Sequence, residues 1–246
     1  NSVRHYDNKF KLRWEKNIKH REQILFIRKY IKEWMYWCDC PIGSGRLMDE
    51  LRTENFLGID VSGSFIEYNQ EKGVKCIKED IFNVGSRFPC EFDILSSLHT
   101  IFAFTEYRKI LEGFIYSLKK GGILIVDIVN KEHQEQTMPF KINQMILGNS
   151  DPFPIGMTKD EILQFFQAKN CDVLERCAHD CWDNDLKVRW RKNVGGSKIG
   201  RRVKSIIWRR VNKAYFGLDL FNIFHNFEKG RPDYRFTKYL VAIRKR

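Results

Sequence analysis

The stretch Asp39-Cys40-Pro41-Ile42-Gly43-Ser44-Gly45-Arg46 sets a carboxylate, two glycines and an arginine between residues that read as a strand and residues that read as a helix. Glycines in such a turn let the backbone approach a ligand closely, and the helix that follows presents free N–H groups. Pro41 donates no hydrogen bond and fixes its own φ, so it stiffens the turn without closing it. A second carboxylate, Asp60, follows Asp39 by twenty-one residues at the end of the next strand, where it can accept both hydroxyls of a ribose. Twenty residues further on, Glu79-Asp80-Ile81 offers a third acid, suited to an exocyclic adenine amine, with Ile81 to pack on the ring. This set suits a mononucleoside without a pyrophosphate. The dinucleotide pattern G-x-G-x-x-G fails at its third glycine, where Met48 stands, and no G-x-x-x-x-G-K-[ST] occurs anywhere, so NAD and ATP are disfavoured.

A fourth strand closes on Ser96-Ser97-Leu98-His99-Thr100, at the edge of the sheet where ligands sit. The ordinary pKa of histidine lies near neutrality, which makes His99 the candidate base for a hydroxyl acceptor. The competing reading is that His99 only borders the ligand or caps the next helix. Asp127, Asn130 and His133 follow the fifth strand as secondary candidates. Cys177, His179 and Cys181 alternate, with Cys171 nearby, so they can share one face of a strand. No second C-x-x-C pair completes a ligand set, so the reading is packed, reduced thiols and no metal.

Alternating strand and helix signals must position these groups. Residues 4–34 read as helical from the spacing of Ile18, Ile24, Leu25, Ile27, Ile31 and Trp34. Strands are expected at 35–40, 56–61, 74–78, 92–98 and 123–129, and helices at 46–53, 64–72 and 105–118. Lys119-Lys120-Gly121-Gly122 reads as a basic last turn with glycine stops. Thr158-Lys159-Asp160-Glu161 is a capping box opening a helix to about Lys169. Residues 171–182 and 236–244 read as a final pair of strands. The alternation predicts an α/β, doubly wound, mostly parallel sheet. The organisation expected is a single domain over 1–246, with an N-terminal helical extension (1–34), a connector (130–157) and a basic helical insertion (183–234).

In order along the chain, DCPIGSGR (39–46), GIDVS (58–62), KEDI (78–81), FDILSSLHTI (92–101) and KKGGILIVDI (119–128) resemble the class I S-adenosylmethionine-dependent methyltransferases. The D-x-P-x-G-x-G-R form resembles a variant of that family's glycine loop with proline in place of the first glycine. The resemblance covers roughly residues 35–130 and the terminal strand, and it implies a seven-stranded Rossmann-like sheet. It also implies S-adenosylmethionine as cofactor and S-adenosylhomocysteine as product. Asp39, Gly43 and Gly45 would then line the methionine end, Asp60 the ribose, and Asp80 with Ile81 the adenine. Pro41, Ser44, Arg46, Val61, Ser62, Ser97 and Leu98 complete the implied cofactor site. The family's amine-methylating signature, [DNS]-P-P-[YFW], is absent after the fourth strand, which favours an oxygen acceptor.

Charge bears on that acceptor. The chain has 246 residues and a formal net charge of +12, and eleven lysines and arginines with no acid fall between Lys187 and Lys213. Arg189, Arg191, Arg201 and Arg202 are candidates for phosphate or carboxylate contacts, because the guanidinium fork suits both. An apolar stripe through Ile199, Val203, Ile206, Ile207 and Val211 accompanies the charge. Three readings stand for this segment: a lid over an anionic sugar, glycan or small-molecule acceptor, a surface that docks on an anionic membrane, or a phosphate-binding face for nucleic acid. The lid and membrane readings are compatible, and both are favoured over an RNA methyltransferase or a non-catalytic nucleic-acid-binding relative. Seven scattered cysteines and no apolar leader at the start point to a cytoplasmic protein, peripheral to the inner membrane face if the acceptor is lipid-linked.

Overall fold

The computed structural model describes residues 18–101, 104–132, 156–179 and 238–246. Seven strands form one sheet: β1 (Trp37–Asp39), β2 (Phe56–Asp60), β3 (Cys76–Lys78), β4 (Phe92–Ser97), β5 (Leu118–Val129), β6 (Cys171–His179) and β7 (Lys238–Lys245). Their order is β3-β2-β1-β4-β5-β7-β6. The first five pair in parallel, and β7 runs antiparallel between β5 and β6. Chain order reverses between β1 and β4, so a crevice opens at their carboxyl ends. The described helices are α1 (Ile18–Arg28), α2 (Arg46–Leu51), α3 (Gly63–Glu71), α4 (Val84–Arg87), α5 (Tyr107–Ser117) and α6 (Lys159–Ala168), with a 3-10 turn over Ile81–Asn83.

Both faces of the sheet are covered, and side-chain alternation divides the core in two. Trp37, Phe56, Ile94, Ile125 and Leu240 face α1, α2 and α3 through Ile24, Ile27, Leu47 and Ile66. Cys38, Leu57, Leu95, Leu124 and Val241 face α5 and α6 through Leu111, Phe114, Ile162 and Phe166. No helix of the described residues is long and apolar enough to cross a membrane.

Two expectations from the sequence fail here. The helix read over 4–34 ends at Arg28, and its expected member Trp34 is 69% exposed in the turn before β1. Lys29 and Tyr30 hold that turn against Glu175 of β6, at 2.7 Å each. The Lys-Lys-Gly-Gly run does not close α5 either. The helix stops at Ser117 and Leu118 already pairs with Phe92, so Lys119–Gly122 form an irregularity inside β5, with Gly121 at φ 80°. The cation at the end of α5 comes from far away instead: Lys245 Nζ donates to the Leu118 and Tyr116 carbonyls at 2.7 and 3.4 Å, while Lys119 pairs with Asp93. The capping box at Thr158 forms as expected, with Thr158 Oγ1 accepting from the Glu161 N–H at 3.2 Å and Glu161 accepting from the Thr158 N–H at 2.8 Å.

Candidate active site

A cavity of about 590 Å³ opens at the carboxyl ends of β1, β2 and β4, within the size range of small-molecule sites. Of the residues expected from sequence, it is lined by Asp39, Pro41, Gly43, Ser44, Arg46, Asp60, Val61, Asp80, Ile81, Leu98 and His99. Three others do not line it. Gly45 is the left-handed cap of α2, Ser62 supports Asp60 through its backbone, and Ser97 is fully buried in β4. Alternation along β4 turns the Ser97 side chain to the face opposite that of Ser96, where it is covered. Arg189, Arg191, Arg201, Arg202 and His133 lie outside the described residues.

The glycine loop is held from behind by α3. Asn69, fully buried, donates to the Gly43 and Phe65 carbonyls at 2.7 and 2.8 Å. Lys72 Nζ donates to the Ser44 carbonyl at 3.2 Å. Gly45 has φ 77°, and a Cβ there would lie 2.1 Å from Asn69 Oδ1, so no other residue fits without moving α3. Gly43, at φ 53°, has nothing within 4 Å of where a Cβ would point. Its open side belongs to the cavity, which lets a ligand approach the bare backbone.

The acids differ in how they are held. Asp60 accepts from the Gly43 and Ser62 N–H groups, one per oxygen, both at 2.9 Å, so it ties the loop to β2 and keeps lone pairs for hydroxyls. Asp80 caps the 3-10 turn by accepting from the Phe82 N–H at 3.0 Å. Glu79 is held down at about 2 by Asn83, the Asp80 N–H and Arg87, in that order of effect. Asp39 is pushed up to about 7, chiefly by burial and further by the Asp60 charge, against a hydrogen bond from Ser96 that pulls it down.

Deeper along the crevice, His99 sits in a left-handed conformation (φ 60°), fixed by its N–H donating to Asp127 Oδ1 at 2.9 Å. Asp127 is fully buried. Burial opposes its ionisation, but the Lys238 ammonium at 2.8 Å and His99 outweigh that and hold it below the usual carboxylate range. The same ammonium lies 3.2 Å from His99 Nδ1, and His99 Nε2 lies 2.9 Å from Nε2 and 3.0 Å from Oε1 of Gln23 in α1. Lysine only donates, so the resting ring accepts at Nδ1 and carries its proton on Nε2. Asn130, also buried, accepts from the Glu132 N–H and serves the turn after β5. Among the described residues no group of three or more His, Cys, Asp or Glu could hold a metal ion.

Sequence reasoning missed Gln23, Asn69, Ser96 and Lys238. Only Lys238 left a signal, as a cation opening an otherwise apolar strand.

The cavity meets the demands of S-adenosylmethionine, a net cation at neutral pH. Four acids (Asp39, Asp60, Glu79 and Asp80) line it, with a bare backbone at Gly43 and apolar side chains of Val61 and Phe82, 63% and 41% exposed, at its mouth. Residues 38–126 match the family model described as a methyltransferase domain. No curated protein matches the chain. Among solved structures the chain is similar to one in the complex between the Haloferax volcanii Trm112 methyltransferase activator and its methyltransferase, at 14% identity and TM-score 0.62, covering 99% of this chain and 95% of that one. It is also similar to a methyltransferase from Clostridium acetobutylicum, at 13% identity and TM-score 0.56, covering 97% and 98%. The [4+2]-cyclase SpnF is similar at 15% identity and TM-score 0.56, covering 91% and 80%. At these identities the likeness speaks for the fold alone. Over residues 38–126 the chain carries a methyltransferase domain, and its seven-stranded, mostly parallel sheet has the Rossmann-like fold of S-adenosylmethionine-dependent methyltransferases. Its cofactor is S-adenosylmethionine, which supplies a sulfonium-activated methyl group for in-line displacement.

Proposed function

We propose that the enzyme methylates an oxygen of an anionic acceptor, a sugar, a glycan or another small molecule, at the inner membrane face when the acceptor is lipid-linked. The observation that carries this reading is the charge asymmetry: the segment from Lys187 to Lys213 contributes +11 of the formal net charge of +12, whereas four acids line the cofactor cavity. Such a basic segment attracts an anionic acceptor, as the acids of the cavity attract a cationic cofactor.

His99 lines the cavity beside Leu98 and Thr100. An acceptor hydroxyl that displaces Gln23 meets His99 Nε2. Deprotonation there requires the ring proton on Nδ1, where Asp127 Oδ2 stands at 3.6 Å, so Lys238 must then turn wholly to Asp127. His99 is the base in this reading, and turnover retained in His99→Ala would leave alignment alone as the source of the rate.

Salt titrations test the acceptor class. Binding to vesicles containing anionic lipid or to a sugar phosphate, with only weak binding to RNA, is the expected result. A steep loss of RNA affinity with rising salt, with none for lipid or sugar phosphate, would assign the basic segment to nucleic acid.

A further inference from the structure

We propose that Ser96 and Trp37 are positioning residues for the cofactor: a one-way hydrogen-bond chain runs from the Trp37 indole through the Ser96 hydroxyl to Asp39 and fixes the carboxylate that faces the ligand. The direction of the chain follows from donor chemistry. Trp37 Nε1–H, which can only donate, lies 2.8 Å from Ser96 Oγ. Ser96 therefore accepts from the indole and spends its one hydrogen on Asp39 Oδ1, at 2.6 Å, the length of a hydroxyl bonded to a charged carboxylate.

The chain is rigid at its origin. Trp37 is fully buried and meets Phe56 edge-on, with ring centroids 4.6 Å apart. Register pairs Asp39 with Ser96 across β1 and β4, and alternation puts Trp37 and Asp39 on one face. The Ser96 carbonyl accepts from the Cys40 N–H at 2.9 Å, so one residue holds both the entry to the glycine loop and its acid. Asp39 Oδ1 is thus occupied, and among the described residues no protein donor reaches Oδ2, which is left to the cavity that Asp39 lines.

The ionised groups and thiols around Asp39 make this chain decisive near neutral pH. Asp60 comes from β2, Cys38 from β1 and Cys40 from the loop, and none of them favours a charge on Asp39. Ser96 is the group that opposes burial and Asp60. Without its hydroxyl, Asp39 stays protonated to higher pH and gives a cationic ligand less to bind.

The test is calorimetric titration of S-adenosylmethionine into the full chain between about pH 6 and about pH 9. Ser96→Ala is expected to bind about tenfold more weakly than wild type at neutral pH, and to recover most of that affinity at the alkaline end. Ser96→Thr, which keeps the hydroxyl, restores the wild-type profile, and Trp37→Phe moves it in the alanine direction by a smaller amount. A loss of equal size at every pH, or no loss, overturns the proposal. A measurement without cofactor stands beside it. Urea unfolding of Ser96→Ala should show stability still falling with pH above about 7, where the wild-type curve has levelled. Two parallel curves overturn the proposal as well.

Discussion

Asp39→Asn is expected to make the ligand-free protein more stable above pH 7 while removing most of its affinity for S-adenosylmethionine. In the folded chain Asp39 titrates at about 7, well above an unfolded aspartate near 3.9. Between those two values the folded state holds the extra proton, so stability falls as pH rises through the window and then levels. Such a gap corresponds to an upper bound of roughly 4 kcal/mol, and the neutral amide escapes it. Binding runs the other way. A net-cationic ligand favours the ionised carboxylate, so below pH 7 wild-type affinity should drop by roughly tenfold per pH unit. Urea unfolding and calorimetry across this range check both halves. Equal stability of the two proteins at every pH would contradict the account of Asp39.

Lys238→Met is the substitution expected to destabilise most. It leaves Asp127, fully buried, with the His99 N–H as its remaining backbone donor and without its ammonium partner. Breaking a buried pair in this way costs roughly 3–5 kcal/mol. The pH dependence at this site should also weaken. In the wild type Asp127 is held below its ordinary value, so its contribution is present above the unfolded pKa and lost as pH falls through the folded one. In the variant the His99 N–H and ring still favour the charge on Asp127, but burial opposes them without the ammonium, so this contribution to stability shrinks. The double variant Lys238→Met with Asp127→Asn removes the stranded charge and should recover most of the loss in thermal unfolding. Equal melting of the single and double variants would show that the pair is not what holds β5 to β7 at this end.

These two predictions differ in how far the sequence pointed to them. Asp39, Asp60 and Asp80 were legible because each ends or follows a short apolar run, and strand ends in such a sheet converge on one crevice. The support behind them was not. Ser96 stands fifty-seven residues from Asp39 and becomes its neighbour only through the pairing of β1 with β4. Lys238 reaches Asp127 because β7 inserts antiparallel between β5 and β6, a sheet order that local pattern does not encode. Gln23 depends on the rotation of α1 about its own axis, and the weak apolar spacing of residues 4–34 specified neither that rotation nor the helix's end. The Lys119–Gly122 run shows the opposite failure, a strong local stop signal overridden because Leu118 is already drawn into the sheet.

The most direct measurement is calorimetric titration of S-adenosylmethionine into wild type and Asp60→Ala. The account predicts saturable one-to-one binding in the wild type and a large loss in the variant, because Asp60 both ties Gly43 to Ser62 and faces the cavity. A wild type that gives no heat with excess ligand, or a variant that binds as tightly as wild type, would contradict it.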